Sequence, residues 1–453
     1  MSGFRERSRR ALADPDLQGA LKGAAGRFAG AREAAWEELP DVEGLRRRAA
    51  WARRRAVAGL PELWARFAEV AKPAGTELYW AADSAEVVDI VLRLARQASA
   101  RLVIKSKSML SEEVHLNPAL EEAGLEVVET DLGELIVQWA EEPPSHIIAP
   151  AVHKTRHQVQ ALFAHRTGED PGPDIPALND LARRYLRDKF LQAEVGISGA
   201  NLAVAESGTI VLVTNEGNGR MVATLPRMHI ALVGAEKLVA DLDDAAAVLE
   251  LLARSATGQR SSSYVQWLSG PRRPEEVDGP ERLCVVVIDA GRSRVAGSSY
   301  QDALACIRCG SCLNVCPVYT TTGGHAYDSP YQGPIGAVVT PLLRGRPGDW
   351  ELPQASTLCG ACLDACPVMI DLPQMLLDLR GEAPRSVAGR GAGWLAARLA
   401  GPRTFSSVFR LARWPAVLLS RGGRLRWAPP PLGRWGQGRI VPSPARRFFR
   451  ERS

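Results

Sequence analysis

The chain has 453 residues, about three times a common domain, so two or more domains are expected. Apolar residues make up 46% and charged residues 24%, which excludes a wholly disordered chain and a collagen-like fibre; no uncharged apolar run of about 18 residues predicts a spanning helix. The net charge of +5 is uneven: residues 381–453 carry 15 Arg, no Lys and 2 Glu, a local net of +13, against −8 for the remainder.

Residues 1–71 read as a helical, solvent-facing arm. Ser8-Arg9-Arg10 has the outline of a twin-arginine export signal, but Asp14-Pro15-Asp16 stands where its apolar stretch should begin, so a cytoplasmic protein is expected. Pro61-Glu62-Leu63-Trp64 restarts a helix with Pro in the first turn. From 72 to 292 strands and helices alternate. Asp83 with Glu86 caps a helix toward Arg96, residues 101–104 form a short buried strand, and Ser111 caps a helix that stops near Gly124. Residues 125–128 and 146–149 read as strands, 155–165 and 177–193 as helices. Four strand candidates crowd together at 201–205, 209–214, 221–224 and 229–233. A helix at 241–253 and a buried strand at 283–288 complete an α/β pattern with a mixed or mostly parallel sheet. Cys284 lies inside that last apolar run and reads as a core thiol.

Residues 293–380 form a cysteine domain holding the other seven of the eight cysteines. Cys306-x2-Cys309-x2-Cys312-x3-Cys316-Pro317 is the bacterial ferredoxin run for a [4Fe–4S] cluster, whose fourth cysteine serves the other cluster in two-cluster proteins. Cys359-x2-Cys362-x3-Cys366-Pro367 is the second run. By the cross-over rule Cys306, Cys309, Cys312 and Cys366 hold cluster 1, and Cys316, Cys359 and Cys362 hold cluster 2. The second run lacks its first cysteine, because that position is Ser356. Cluster 2 is then a [3Fe–4S] centre, or a [4Fe–4S] centre with Ser356, a water or a partner's side chain on the last iron; His325 is a weaker candidate. Zinc also favours thiolates, but two separated runs each ending in Cys-Pro point to iron and sulfur. The long gap between the runs suits a helical ferredoxin module.

Two clusters make an electron wire. Oxidising an organic substrate usually removes two electrons and needs a flavin, nicotinamide or metal centre. No dinucleotide fingerprint, P-loop, H-E-x-x-H or G-x-S-x-G occurs, so the chemistry is expected elsewhere or at a shared site.

The chain resembles the lactate utilization protein B family. Ser106-Lys107-Ser108-Met109, Glu129-Thr130-Asp131-Leu132-Gly133-Glu134, Pro144-Ser145-His146-Ile147, Ala205-Glu206-Ser207-Gly208-Thr209 and Asn215-Glu216-Gly217-Asn218-Gly219-Arg220 carry the resemblance, together with both cysteine runs. Ser at position 356 also fits the family's run. The resemblance spans about 71 to 380, and 442–449 is similar to the family's tail. It implies that residues 72–292 are a lactate-utilization domain with a fold similar to coenzyme A transferase and ribose-5-phosphate isomerase. It also implies two partner subunits, one with cysteine-rich domains and one with a second lactate-utilization domain, in a system oxidising L-lactate to pyruvate.

Other residues invite chemistry. Asn215, Glu216, Asn218 and Arg220 follow a strand, where α/β folds place ligands; Glu216 can accept a proton and Arg220 can grip a carboxylate, or the segment is a plain turn. Lys105 and Lys107 either attract an anionic acid or are solvated lysines. His153 and His157 are expected on one helix face, whereas His146 and His229 read as hydrogen-bonded core residues. The basic tail 381–453, with Trp394, Trp414, Trp427 and Trp435 and a short amphipathic segment at 408–419, suits docking to a partner subunit first, and peripheral contact with the inner membrane face second. It has no nucleic-acid recognition module. The expected function is the iron–sulfur electron-transfer subunit of an L-lactate-oxidising oxidoreductase complex. The alternatives are a non-catalytic iron–sulfur scaffold or redox sensor, and an electron-transfer subunit for another 2-hydroxy acid such as glycolate.

Overall fold

In the computed structural model, which describes residues 3–382 and the short antiparallel ladder Ser420–Arg421 with Arg424–Leu425, the apolar strands assemble as their burial demands. Ten strands precede the cysteine runs: β1 (Glu77–Ala81), β2 (Leu102–Lys105), β3 (Glu126–Glu129), β4 (Val195–Gly199), β5 (Leu202–Val204), β6 (Thr209–Thr214), β7 (Met228–Gly234), β8 (Leu238–Val239), β9 (Tyr264–Leu268) and β10 (Arg282–Ile288). Six form one parallel sheet in the order β1-β10-β7-β4-β2-β3. The other four form a smaller sheet, β8-β5-β6-β9. The central strands bury both faces, which is why they read as unbroken apolar runs. Cys284, Val286 and Ile288 face one core, and Val285 and Val287 face the other.

Among the described residues eighteen α-helical segments accompany the strands. The first four are α1 (Phe4–Leu12), α2 (Pro15–Glu37), α3 (Val42–Ala58) and α4 (Leu60–Ala71). They are helical as expected but are not a solvent-facing arm. Leu60, Trp64 and Phe67 of α4 cover the parallel sheet, while Leu21, Ala49, Ala50 and Val57 of α2 and α3 share a core with the cysteine-bearing residues. The fully buried Arg53 donates to the carbonyls of Glu236, Leu238, Leu304 and Ala305. A guanidinium has enough donors to satisfy several orphan carbonyls at once, so α3 joins the two halves of the molecule.

Around the sheet lie α5 (Ser84–Gln97), α6 (Met109–Glu113), α7 (Leu116–Glu122), α8 (Leu132–Trp139), α9 (Arg156–Thr167), α10 (Ile175–Gln192), α11 (Asn218–Thr224) and α12 (Leu242–Thr257). Asp83 caps α5 and Asp241 caps α12 through side-chain acceptors. Ser108, rather than Ser111, caps α6, and the chain breaks at the left-handed His115 before α7.

Two expected strands are corrected. Residues 221–224 belong to α11, which packs so close to β4 that a side chain at Gly196 would meet the Val222 carbonyl. Residues 146–149 form no ladder, because the His146 ring Nδ1 accepts from the amides of Ile148 and Ala149, at 3.0 and 3.2 Å, and turns the backbone. Strands β1, β4, β8 and β9 were not expected.

Between Arg292 and Glu382 the described residues contain helical segments and no strand: α13 (Arg292–Ala296), α14 (Ser311–Asn314), α15 (Tyr319–Thr322), α16 (Gly333–Arg344), α17 (Ala361–Asp364) and α18 (Leu372–Glu382), with tight helical turns between. The expected amphipathic segment at 408–419, the tail tryptophans and the family-like stretch 442–449 lie outside the described residues.

Candidate functional site

The two cysteine runs repeat one backbone design. Cys306, Cys309, Gly310, Cys312 and Cys316 correspond, at constant spacing, to Ser356, Cys359, Gly360, Cys362 and Cys366. Arg308 and Leu358 both take positive φ, 61° and 54°, as do Gly310 and Gly360, at 77° and 88°. These left-handed residues fold the chain back so that short helices α14 and α17 can follow. Leu313 and Leu363 then donate to the carbonyls of Gly310 and Gly360 at 2.9 and 2.8 Å. At Gly310 there is a second constraint, because a Cβ there would come 3.2 Å from the His146 ring.

The seven thiols are free of disulfides. Burial pushes Cys309 up to about 11 and Cys362 and Cys366 up to about 12, so ionising them requires a compensating positive charge. Their charges also report neighbours. Cys309 and Cys306 act on Cys366, while Cys359 acts on Cys316, and Cys316 on Cys362. Cys362 also acts on Cys312, so the two runs lie close together. Cys359 is exposed, and its pKa is lowered first by the Ala361 amide and then by Thr357.

The donor set fits iron–sulfur clusters better than a single ion. Four thiolates around zinc at about 2.3 Å leave sulfurs about 3.8 Å apart. Among the described residues the only trio of ligand atoms mutually within 4.8 Å is Glu142, His153 and His325. That trio is a hydrogen-bonded tether: His153 Nε2 meets Glu142 at 2.7 Å, Lys154 neutralises the same carboxylate, and His325 Nε2 donates to the Pro143 carbonyl at 2.7 Å. His153 precedes α9 while His157 lies exposed on it, so the expected pair does not meet.

A cavity of about 290 Å³ opens where the strand ends meet the first cysteine loop. Ser106 to Ser108 follow β2, Asp131 follows β3, Gly199 to Asn201 end β4 and begin the next turn, and Glu236 and Lys237 follow β7; Ile307 and Arg308 come from between Cys306 and Cys309. Carboxyl ends of parallel strands are where α/β sheets leave room for ligands. Asn215, Glu216 and Asn218 line it. Arg220, expected to hold a carboxylate, is exposed on α11 and is not among the lining residues. The cations that do line it are Lys107, Lys237 and Arg308, of which only Lys107 was singled out by sequence. Lys105 is instead buried in β2 and paired with Glu129 at 2.6 Å.

The Arg308 guanidinium lies 4.4 Å from the centre of the Tyr331 ring and 3.4 Å from Glu236, with Nη1 buried and unpartnered. Burial raises the Glu236 pKa, but Arg292, Lys237 and Arg308 outweigh it and hold the carboxyl at about 2. Burial, followed by Arg308, pulls Lys237 down to about 7. Glu216 accepts from the Leu132 amide at 3.1 Å. Burial and then Asp131 push it up to about 7, and water reaching this exposed residue screens part of that rise.

The segment Pro144-Ser145-His146 locks the cavity wall to the cysteine loops. Tyr319 donates to the Ser145 carbonyl at 2.8 Å, the Gly324 amide to Ser145 Oγ at 3.3 Å and Gln332 to the Pro144 carbonyl at 3.0 Å. His146 Nδ1 is an acceptor, so Nε2 donates to Asn314 Oδ1 at 3.0 Å, beside Cys312 in the same short helix. His229 bonds Ser198 at 2.7 Å inside the sheet.

Comparison with known proteins agrees with this layout. The LUD domain family matches residues 64–288 and the 4Fe-4S dicluster domain family matches residues 302–370. The chain is 41% identical to lactate utilization protein B of Bacillus licheniformis, covering 99% of this chain and 95% of that one. It is 40% identical to lactate utilization protein B of Bacillus subtilis, covering 99% and 95%. It is also 43% identical to the uncharacterized electron transport protein YkgF of Escherichia coli, covering 83% and 79%. A crystal structure of a DUF162 family protein from Deinococcus radiodurans overlaps 51% of this chain and 98% of its own, with 16% identity and a TM-score of 0.28, too low to carry an argument. No helix among the described residues is long and apolar enough to cross a membrane.

Proposed function

Because the chain belongs to the lactate utilization protein B family, we propose that it is the iron–sulfur electron-transfer subunit of a multi-subunit system oxidising L-lactate to pyruvate. Its partners are a subunit with cysteine-rich domains and one with a second lactate-utilization domain. Residues 72–292 are read as a lactate-utilization domain of coenzyme A transferase-like fold, and 293–380 as a helical ferredoxin module. Cys306, Cys309, Cys312 and Cys366 hold cluster 1, while Cys316, Cys359 and Cys362 hold cluster 2. When bound, such clusters accept and pass single electrons.

The observation that carries this reading is the shared wall: Ile307 and Arg308 of the Cys306–Cys309 loop also line the cavity at the strand ends. The residues that would hold cluster 1 thus border the cavity, so the cluster could take up electrons released there, and the exposure of Cys359 supports a cluster 2 near the surface, where an acceptor could dock. Arg308, Lys237 and Lys107 supply positive charge for an anionic acid, and Asn215 and Asn218 supply hydrogen bonds. Glu216 takes up a proton. The basic tail is assigned to docking on a partner subunit at the cytoplasmic side, with peripheral membrane contact second.

Anaerobic stopped-flow absorbance tests the division of labour. Dithionite should bleach the clusters of the chain alone. L-lactate should bleach them only after both partners are added. Glu216→Gln should then slow bleaching without loss of iron and flatten the rise in rate as pH passes through about 7, because the acceptor carboxylate forms as its proton leaves. Rapid bleaching by lactate in the chain alone would place the catalytic site entirely within it and end the subunit reading.

A further inference from the structure

Cluster 2 has three thiolates in this chain and one position without a cysteine. The repeat shows what occupies that position. In the first run the Cys306 sulfur accepts the Arg308 amide at 3.4 Å; in the second the Ser356 hydroxyl accepts the Leu358 amide at 3.1 Å. The side chain at 356 is thus turned as a ligand cysteine is turned, with its polar atom over the same backbone amide. The carbonyls match as well. Lys237 Nζ donates to the Cys306 carbonyl at 3.5 Å, and Arg380 Nη2 donates to the Ser356 carbonyl at 2.7 Å. Arg380 also binds the Pro353 carbonyl at 2.8 Å, which fixes the approach of the chain to Ser356. Both positions precede a residue of positive φ and then a cysteine.

The other protein candidate in this chain is committed elsewhere. His325 donates to Pro143 and its ring packs 4.6 Å from that of His153.

Resting on the two-cluster reading, we propose that Ser356 Oγ is the fourth protein ligand of cluster 2. The hydroxyl gives its proton to water as the oxygen–iron bond forms, so the ligand is an alkoxide and no electron is transferred in that step. Cluster 2 is then a [4Fe–4S] centre with three sulfur ligands and one oxygen ligand, and the residue is half-buried, within reach of water.

The test uses the full chain, purified anaerobically. Iron and sulfide analysis of the native protein should approach about eight of each per chain, from two complete four-iron clusters. Electron paramagnetic resonance of the oxidised native protein should show no [3Fe–4S] signal. Ser356→Ala should lose about one iron per chain and gain a [3Fe–4S] signal approaching one spin per chain. Ser356→Cys should keep about eight irons and shift the midpoint potential of one cluster only. Circular dichroism and the iron of cluster 1 check that each variant is folded. Two results overturn the assignment: a native protein already carrying about one [3Fe–4S] spin per chain, or a Ser356→Ala variant that keeps eight irons and shows no such signal. Absence of iron and sulfide from the native chain would instead refute the two-cluster reading.

Discussion

The α/β region and the cysteine region obey different rules of stability. In the first, strands buried on both faces meet helices through aliphatic side chains, and the packing supplies its own driving force. Val285, Val286, Val287 and Ile288 are fully buried there. In the second, short helical turns hang on left-handed residues, and Cys309, Cys312, Cys316, Cys362 and Cys366 are themselves core residues. By the proposed assignment these cysteines hold the clusters, and a region of short turns built around bound metal would draw part of its stability from it. On that assignment one structural unit, residues 1–382, would combine a half held by packing with a half held by its clusters.

Cys312→Ala should separate the halves most. It removes a buried thiol of the first run and, by the proposed assignment, cluster 1. The expected result is loss of about half the iron, with proteolysis beginning between residues 293 and 382 while the sheet persists. The shared core makes α2 and α3 loosen with the cysteine region. Iron analysis and mapped proteolysis check this; a variant with full iron would show that the contrast is drawn in the wrong place.

Arg292→Met attacks the join. Arg292 is fully buried and pairs with Glu236 at 2.6 Å and Glu113 at 2.7 Å, while Tyr331 of the cysteine region bonds Glu113. Removing one partner of a buried network leaves uncompensated carboxylates and costs about 3–5 kcal/mol. Thermal unfolding should show the loss and two separated transitions in place of one. A single unshifted transition would mean that the network is replaceable.

Sequence disclosed these halves unequally. The strands at 209–214 and 283–288, the helix from 241 and the Asp83 cap were legible because apolar runs and N-cap chemistry are local signals. Strand β4, Val-Gly-Ile-Ser-Gly, was not, because Gly196 serves the approach of α11 and Gly199 that of Ser108, and both weaken the strand pattern. Residues 1–71 were read as an arm because alanine- and arginine-rich helices look solvated. Their burial comes from partners far along the chain, such as Arg46 bonding the Cys366 carbonyl at 2.9 Å. The cysteine spacing and the loop at Asn215, Glu216 and Asn218 were visible. The cavity's Lys237 and Arg308 were not, because only the fold carries them to the same wall.

The smallest expected effect is also the sharpest control. Cys284 is the one cysteine of the α/β region, fully buried in β10, with Glu77 of β1 and Ile230 of β7 as its register neighbours. Burial, and then the nearby Glu77 charge, push its thiol up to about 12, so it stays protonated and behaves as a small apolar group. Cys284→Ala removes one buried atom from a packed sheet and should cost about 1 kcal/mol, the scale of a single-group truncation. Iron content should not change, because the sheet does not lean on metal for its stability. Denaturant unfolding with parallel iron analysis measures both. If iron fell with Cys284, the α/β region would share the metal dependence of its neighbour, and the division between a packing-held half and a metal-held half would fail at its centre.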